Sequence, residues 1–133
     1  MVKKINHIAI VVDDINTAVE FWRDKLGIEL SHIEDVPSQH AKVAFLPLGD
    51  SEVELVQPID ENSGLAKFLN TRGPGMHHIC FEVDDIEATL EDLINKGVRL
   101  INQSPVLLEN RKIVFIHPKS ANGVLIELYE DVP

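Results

Sequence analysis

Two stretches of this chain are near copies of one another. Asn6 to Asp14 reads NHIAIVVDD and Gly75 to Asp85 reads GMHHICFEVDD. In each, a histidine opens a run of alternating strand-forming residues that ends in Asp-Asp-Ile and leads into a helical pattern. His7 and His78, Asp13 and Asp84, Asp14 and Asp85, and Ile15 and Ile86 all stand 71 positions apart. One such match is noise, but four at a single offset mark a duplicated module, which constrains a fold more than any local propensity. The chain has 133 residues, so each copy has about 60, too few for a comfortable core of its own. The copies are therefore expected to share a core or a site.

The first copy reads as βαβββ. Residues 5–12 form a strand by their β-branched content, with His7, Ala9 and Val11 on one face and Ile8, Ile10 and Val12 on the other. Asp13 and Asp14 are good helix caps, and Ile15, Ala18, Val19, Trp22 and Leu26 recur at helical spacing until Gly27. Strands are expected over 28–33, 42–48 and 52–57, with a loop at 35–39. Residues 58–75, holding two prolines, three glycines and a short amphipathic piece at 65–69, read as the connector. The second copy replays the order: a strand at 76–83, a helix from Ile86 to near Gly97, and strands at 98–102, 111–117 and 124–130. Module one thus covers about 3–57, the connector 58–75 and module two about 76–130. Consecutive short strands without intervening helices favour an α+β fold over a parallel α/β one.

The fourth strands also match, Val53-Glu54-Leu55 against Ile126-Glu127-Leu128. If the flanking apolar residues pack under the helices, Glu54 and Glu127 point the other way, to the face that carries His7 and His78. A single strand histidine or glutamate is usually structural or solvent-facing. Here both types recur at matching places, and a mid-strand glutamate among Val and Leu is costly to bury unless its charge is compensated. Two imidazoles and two carboxylates around one divalent cation would do so, a donor mix suited to nickel, cobalt, manganese, zinc or iron. His77 should face away from His78. His32, His40 and His117 lack counterparts and read as surface or loop residues, Cys80 as a small filler at the place of Ala9, and Gln57 as facing away.

The net charge of −10 disfavours nucleic acid as a partner. A single cysteine excludes an internal disulfide framework, and no secretory signal or membrane-spanning apolar run is apparent. A soluble cytoplasmic protein is expected.

The paired modules with histidine and glutamate on their first and fourth strands resemble the vicinal-oxygen-chelate superfamily, whose modules form an eight-stranded cup around a divalent metal. Within it, NHIAIVVDDINTAVEFW (6–22), FLPLGDSEVELVQP (45–58), LAKFLNTRGPGMHHICFEVDDI (65–86) and FIHPKSANGVLIELYE (115–130) resemble the methylmalonyl-CoA epimerases. That resemblance implies His7, Glu54, His78 and Glu127 as metal ligands, with cobalt foremost and manganese, nickel or zinc as alternatives. It implies an acyl-CoA substrate, a homodimer, and α-proton removal and return through a metal-stabilised enolate. Glu127 is the implied base and Glu54 a candidate partner. Two departures stand out. Val43 occupies the place where some epimerases carry a second catalytic glutamate, and Leu107 to Arg111 replaces a glycine-rich loop. In an acidic chain a polyanionic coenzyme needs a local basic group, for which Arg111, Lys112 and Lys119 are candidates. Lactoylglutathione lyase is the main rival, but Val11 and Pro58 stand where its members commonly carry an arginine and an asparagine for glutathione. A non-catalytic binder of the same fold would normally lack the full ligand set, and an extradiol dioxygenase would more often use a single carboxylate.

Overall fold

The computed structural model describes residues 1–133. The chain falls into two compact units, His7–His77 and Met1–Asn6 with His78–Pro133, so the division lies inside the first strand.

In the unit His7–His77, strand β1 (Val2–Val11), from His7 onward, leads to helix α1 (Ile15–Val19), followed by β2 (His32–Val36), β3 (Ala41–Leu48), β4 (Ser51–Pro58) and helix α2 (Gly64–Arg72). The strand order is β2-β3-β4-β1, with β1 parallel to β4 and the other pairs antiparallel. Helix α1 starts where Asp14 accepts from the Thr17 backbone N–H at 3.2 Å and the Thr17 hydroxyl at 2.8 Å. These bonds hold its carboxyl below the usual range. Ile15, Val19 and Trp22 pack with Val12, Ala44, Leu46, Val53 and Leu55 in one apolar core.

The periodicity predicts one α-helix to Leu26, but residues Glu20–Lys25 are π-helical, with Leu26 N–H donating to Phe21 O at 2.8 Å. The wider turn keeps Trp22 against the core and leaves Phe21 half-exposed, edge-on to the indole. It ends at Gly27, whose φ of +87° suits glycine. The second strand comes later than expected, because Ile28 and Leu30 pack against the core while pairing with β3 starts at His32↔Phe45. The other sheet face gathers Ala9, Ala41, Val43 and Val56, with Leu65 of α2 packed on it. That helix outruns the short amphipathic piece read at 65–69, starting at a Ser63 cap whose Oγ accepts from Ala66 N–H at 3.1 Å.

The other unit contains β5 (Gly75–Val83) from His78 onward, α3 (Ile86–Asn95), β6 (Val106–Leu107), β7 (Arg111–Ile116) and β8 (Leu125–Asp131). Its order is β5-β8-β7-β6, again with one parallel pair, β5 with β8. Asp85 caps α3 through Ala88 N–H at 3.0 Å, as Asp14 caps α1. Val83, Ile86, Leu90, Leu100, Val114 and Leu128 form the core. The opening residues of the chain belong to this unit: Asp84 N–H reaches Met1 O at 3.3 Å, and Lys3 Nζ lies 3.1 Å from Glu82.

The strand expected over 98–102 is reduced to a single bridge, Leu100↔Ile116. The Asn102 side chain accepts from Phe115 N–H at 2.7 Å, taking the place of a strand carbonyl and ending the ladder there. The sheet edge is formed instead by the short β6. No helix is long and apolar enough to cross a membrane.

Candidate functional site

Each unit presents one histidine–glutamate pair, built the same way. In the unit His7–His77, β1 and β4 run parallel with Ala9 opposite Glu54. Val53 and Leu55 turn under α1, so Glu54 projects from the other face, where His7 also lies. His7 Nδ1 is 3.4 Å from Glu54 Oε2, and the two side chains are only 9% and 12% exposed. In the other unit β5 and β8 run parallel with Cys80 opposite Glu127. Ile126 and Leu128 turn under α3, and His78 Nε2 lies 3.3 Å from Glu127 Oε1, with side chains 16% and 13% exposed. In both copies the residue two places after the histidine faces the glutamate across a parallel ladder. Alternation along the strand and the register between strands together make each pair.

Both separations exceed the ~2.7–2.9 Å of a tight charge-assisted hydrogen bond, so the groups lie side by side rather than locked together. Their surroundings are apolar: Phe45 is the cross-strand neighbour of Glu54 and Phe115 that of Glu127. A carboxylate so placed is stabilised by a neighbouring positive charge. Imidazole nitrogen and carboxylate oxygen are donors that borderline divalent cations accept. The chemistry of the donor set therefore fits a metal of the kind the sequence implied.

The neighbouring positions behave as alternation predicts. Cys80 and its counterpart Ala9 are fully buried on the faces of their histidines. Gln57 faces away, and its Oε1 accepts from Ile15 N–H at 2.9 Å. The remaining histidines have local partners that sequence reading missed. His32 stacks on Phe45 with ring centres 4.6 Å apart, His40 Nδ1 lies 2.8 Å from Asp60, and His77 stands edge-on to Phe68. Of the expected substrate cations, Arg111 lies 3.3 Å from Asp131 and over the Tyr129 ring, while Lys112 is paired with Glu87. Lys119 has no acidic partner.

Sequence reading also missed Tyr129. Its ring is 2% exposed, and its hydroxyl accepts from Asn6 Nδ2 at 2.9 Å and donates to Glu82 at 3.3 Å. Burial, followed by the nearby Glu82 carboxylate, pushes its pKa up to about 12. The signal was available, since Tyr129 is two residues past Glu127 and therefore on the same face.

Residues 6–115 match the model of the glyoxalase/bleomycin resistance protein/dioxygenase superfamily. The chain is 37% identical over 132 residues to the ethylmalonyl-CoA/methylmalonyl-CoA epimerase of Cereibacter sphaeroides, covering 96% of this chain and 98% of that protein. It superimposes on the methylmalonyl-CoA epimerase of Mycobacterium tuberculosis with a TM-score of 0.85 at 38% identity, covering 99% of this chain and 90% of that one. A variant of the Streptomyces coelicolor methylmalonyl-CoA epimerase, solved in complex with 2-nitronate-propionyl-CoA, gives a TM-score of 0.84 at 35% identity, covering 98% and 96%. The α+β fold of paired βαβββ modules is thus the vicinal-oxygen-chelate fold. The chain belongs to the glyoxalase/bleomycin resistance protein/dioxygenase superfamily and, within it, to the methylmalonyl-CoA epimerase family of isomerases.

Proposed function

We propose that the chain interconverts the two epimers of methylmalonyl-CoA, and that His7, Glu54, His78 and Glu127 together hold one divalent cation, cobalt foremost. The observation that carries this reading is the repetition of a largely buried histidine–glutamate pair at 3.4 Å and 3.3 Å, one in each copy. Bound there, a divalent cation would supply Lewis acidity toward the thioester and carboxylate oxygens of the substrate.

The remaining work falls to the protein's own groups. The hydrogen between a thioester and a carboxylate is weakly acidic, and inverting that carbon requires a proton to leave one face and another to arrive at the opposite face. One carboxylate per copy suits a two-faced exchange, with Glu127 taking the proton and Glu54 as its partner. Val43, buried in the same apolar cluster as Ala9 and Val56, carries no group able to transfer a proton. By symmetry with Glu127, Glu54 is the candidate acid or base of its module. The apolar faces around both glutamates would restrict water and so raise the strength of the local electrostatics.

The test is exchange of the α-hydrogen of methylmalonyl-CoA with solvent deuterium. Protein stripped with a chelator and reloaded with Co²⁺ or Mn²⁺ is expected to exchange it, and the stripped protein is not. No exchange with any divalent metal would refute the epimerase reading. Isomerisation of the methylglyoxal–glutathione hemithioacetal at a comparable or greater rate would assign the chain to the lyase chemistry instead.

A further inference from the structure

In an acidic protein, an unpaired cluster of cations is informative. Within the unit of Met1–Asn6 and His78–Pro133, Lys3, Lys4, Lys96, Arg111 and Lys112 each lie within 4.0 Å of an acidic group. Arg99 and Lys119 do not, and both flank the same histidine. His117 N–H donates to Arg99 O at 2.9 Å, and Lys119 N–H donates to His117 Nδ1 at 3.0 Å. Arg99 N–H in turn donates to Ser120 Oγ at 2.8 Å. One short turn, the 3₁₀ segment Pro118–Ser120, thus joins the two cations and the imidazole, with both cations exposed.

We infer that Arg99, His117 and Lys119 form a binding site for phosphate groups, the place where the phosphorylated end of an acyl-CoA substrate is held. This rests on the acyl-CoA reading above and moves the coenzyme contact away from Arg111 and Lys112, whose charges are already matched by Asp131 and Glu87. Position supports it. His117 follows Ile116, which pairs with Ile126 next to Glu127, and Leu125 faces His78. The turn therefore sits at the strand ends just beyond the His78–Glu127 pair, whereas Arg111 lies at the opposite end of β7 beside Asp131. An acyl group at the pair would have its coenzyme arm leading outward toward the turn.

The imidazole is suited to the same task. Burial, with the charges of Arg99 and Lys119, lowers the His117 pKa, so the ring is neutral near neutral pH. With Nδ1 accepting from Lys119 N–H, the proton sits on Nε2 and can be donated to a phosphate oxygen.

The experiment measures calorimetric binding of coenzyme A and of pantetheine, which lacks the phosphates, to the whole protein and to the double variant R99A/K119A. Both substitutions are at exposed positions, and a matching melting temperature checks the fold. Coenzyme A binding is expected to weaken roughly tenfold in low salt, and to lose much of its salt dependence, with pantetheine unchanged. Equal coenzyme A affinity in the double variant and the parent would overturn this site alone. Equal weakening toward both ligands would likewise overturn phosphate recognition. Failure of the parent to bind coenzyme A at all would overturn the acyl-CoA reading and this inference with it.

Discussion

At the residue scale, the four candidate ligands were legible because strand alternation and the duplication point to the same positions. Glu127 is the sharpest case, since Ile126 and Leu128 enter the core beneath α3 and force it to the other face. Replacing Glu127 with Gln keeps its shape and removes its ability to take a proton. Exchange at the substrate α-carbon is expected to fall by about 10²–10⁴-fold at saturating metal. A variant within threefold of the parent would show that the proton moves elsewhere. The face that Tyr129 occupies was legible from its spacing to Glu127, but its partners were not, because Asn6 and Glu82 are remote in sequence. It is the chain's single tyrosine, so tyrosinate absorbance reports on it alone. Folded protein should ionise it near pH 12, whereas an unfolded chain does so near pH ~10. Between those values the native state holds the extra proton, so stability should fall as pH rises through that window and be insensitive to this group below it. Ionisation of the folded protein near pH 10 would contradict the burial of the hydroxyl.

At the element scale, helix starts were well marked and sheet edges were not. Asp14 and Asp85 announced α1 and α3, and both cap as expected. What no local pattern announced is a second acceptor at each helix start. Gln57 Oε1 takes Ile15 N–H at 2.9 Å, and Glu130 Oε1 takes Ile86 N–H at 2.8 Å. These residues end equivalent strands of the two copies, so the duplication preserves the contact while the side chain differs. Glu130→Gln should therefore leave the melting temperature nearly unchanged. Glu130→Ala, which strands a helix N–H, should cost about 1 kcal/mol, read from denaturant unfolding. An equal loss in both variants would mean that charge, not the acceptor oxygen, is what matters there. The edge strand was misjudged for a related reason. Residues 98–102 have strand-like composition, but Asn102 ends the pairing through its own side chain, a tertiary choice invisible to propensity.

At the scale of the whole molecule, the duplication is the fact from which the rest follows. Each copy folds a strand, a helix and further strands, and each ends with a histidine and a glutamate side by side on the face away from its helix. The compact units do not follow the repeat boundaries, since residues 1–6 group with the second copy. That exchange was invisible in the sequence because Val2–Asn6 and His7–Val11 belong to one uninterrupted strand. If the two pairs serve one shared cation, as proposed, metal stoichiometry will show it. Protein equilibrated with Co²⁺ and freed of excess metal should retain one equivalent per chain, and His7→Ala and His78→Ala should each abolish it. Two equivalents per chain, or a variant that keeps its metal after losing one histidine, would rule out a shared cation.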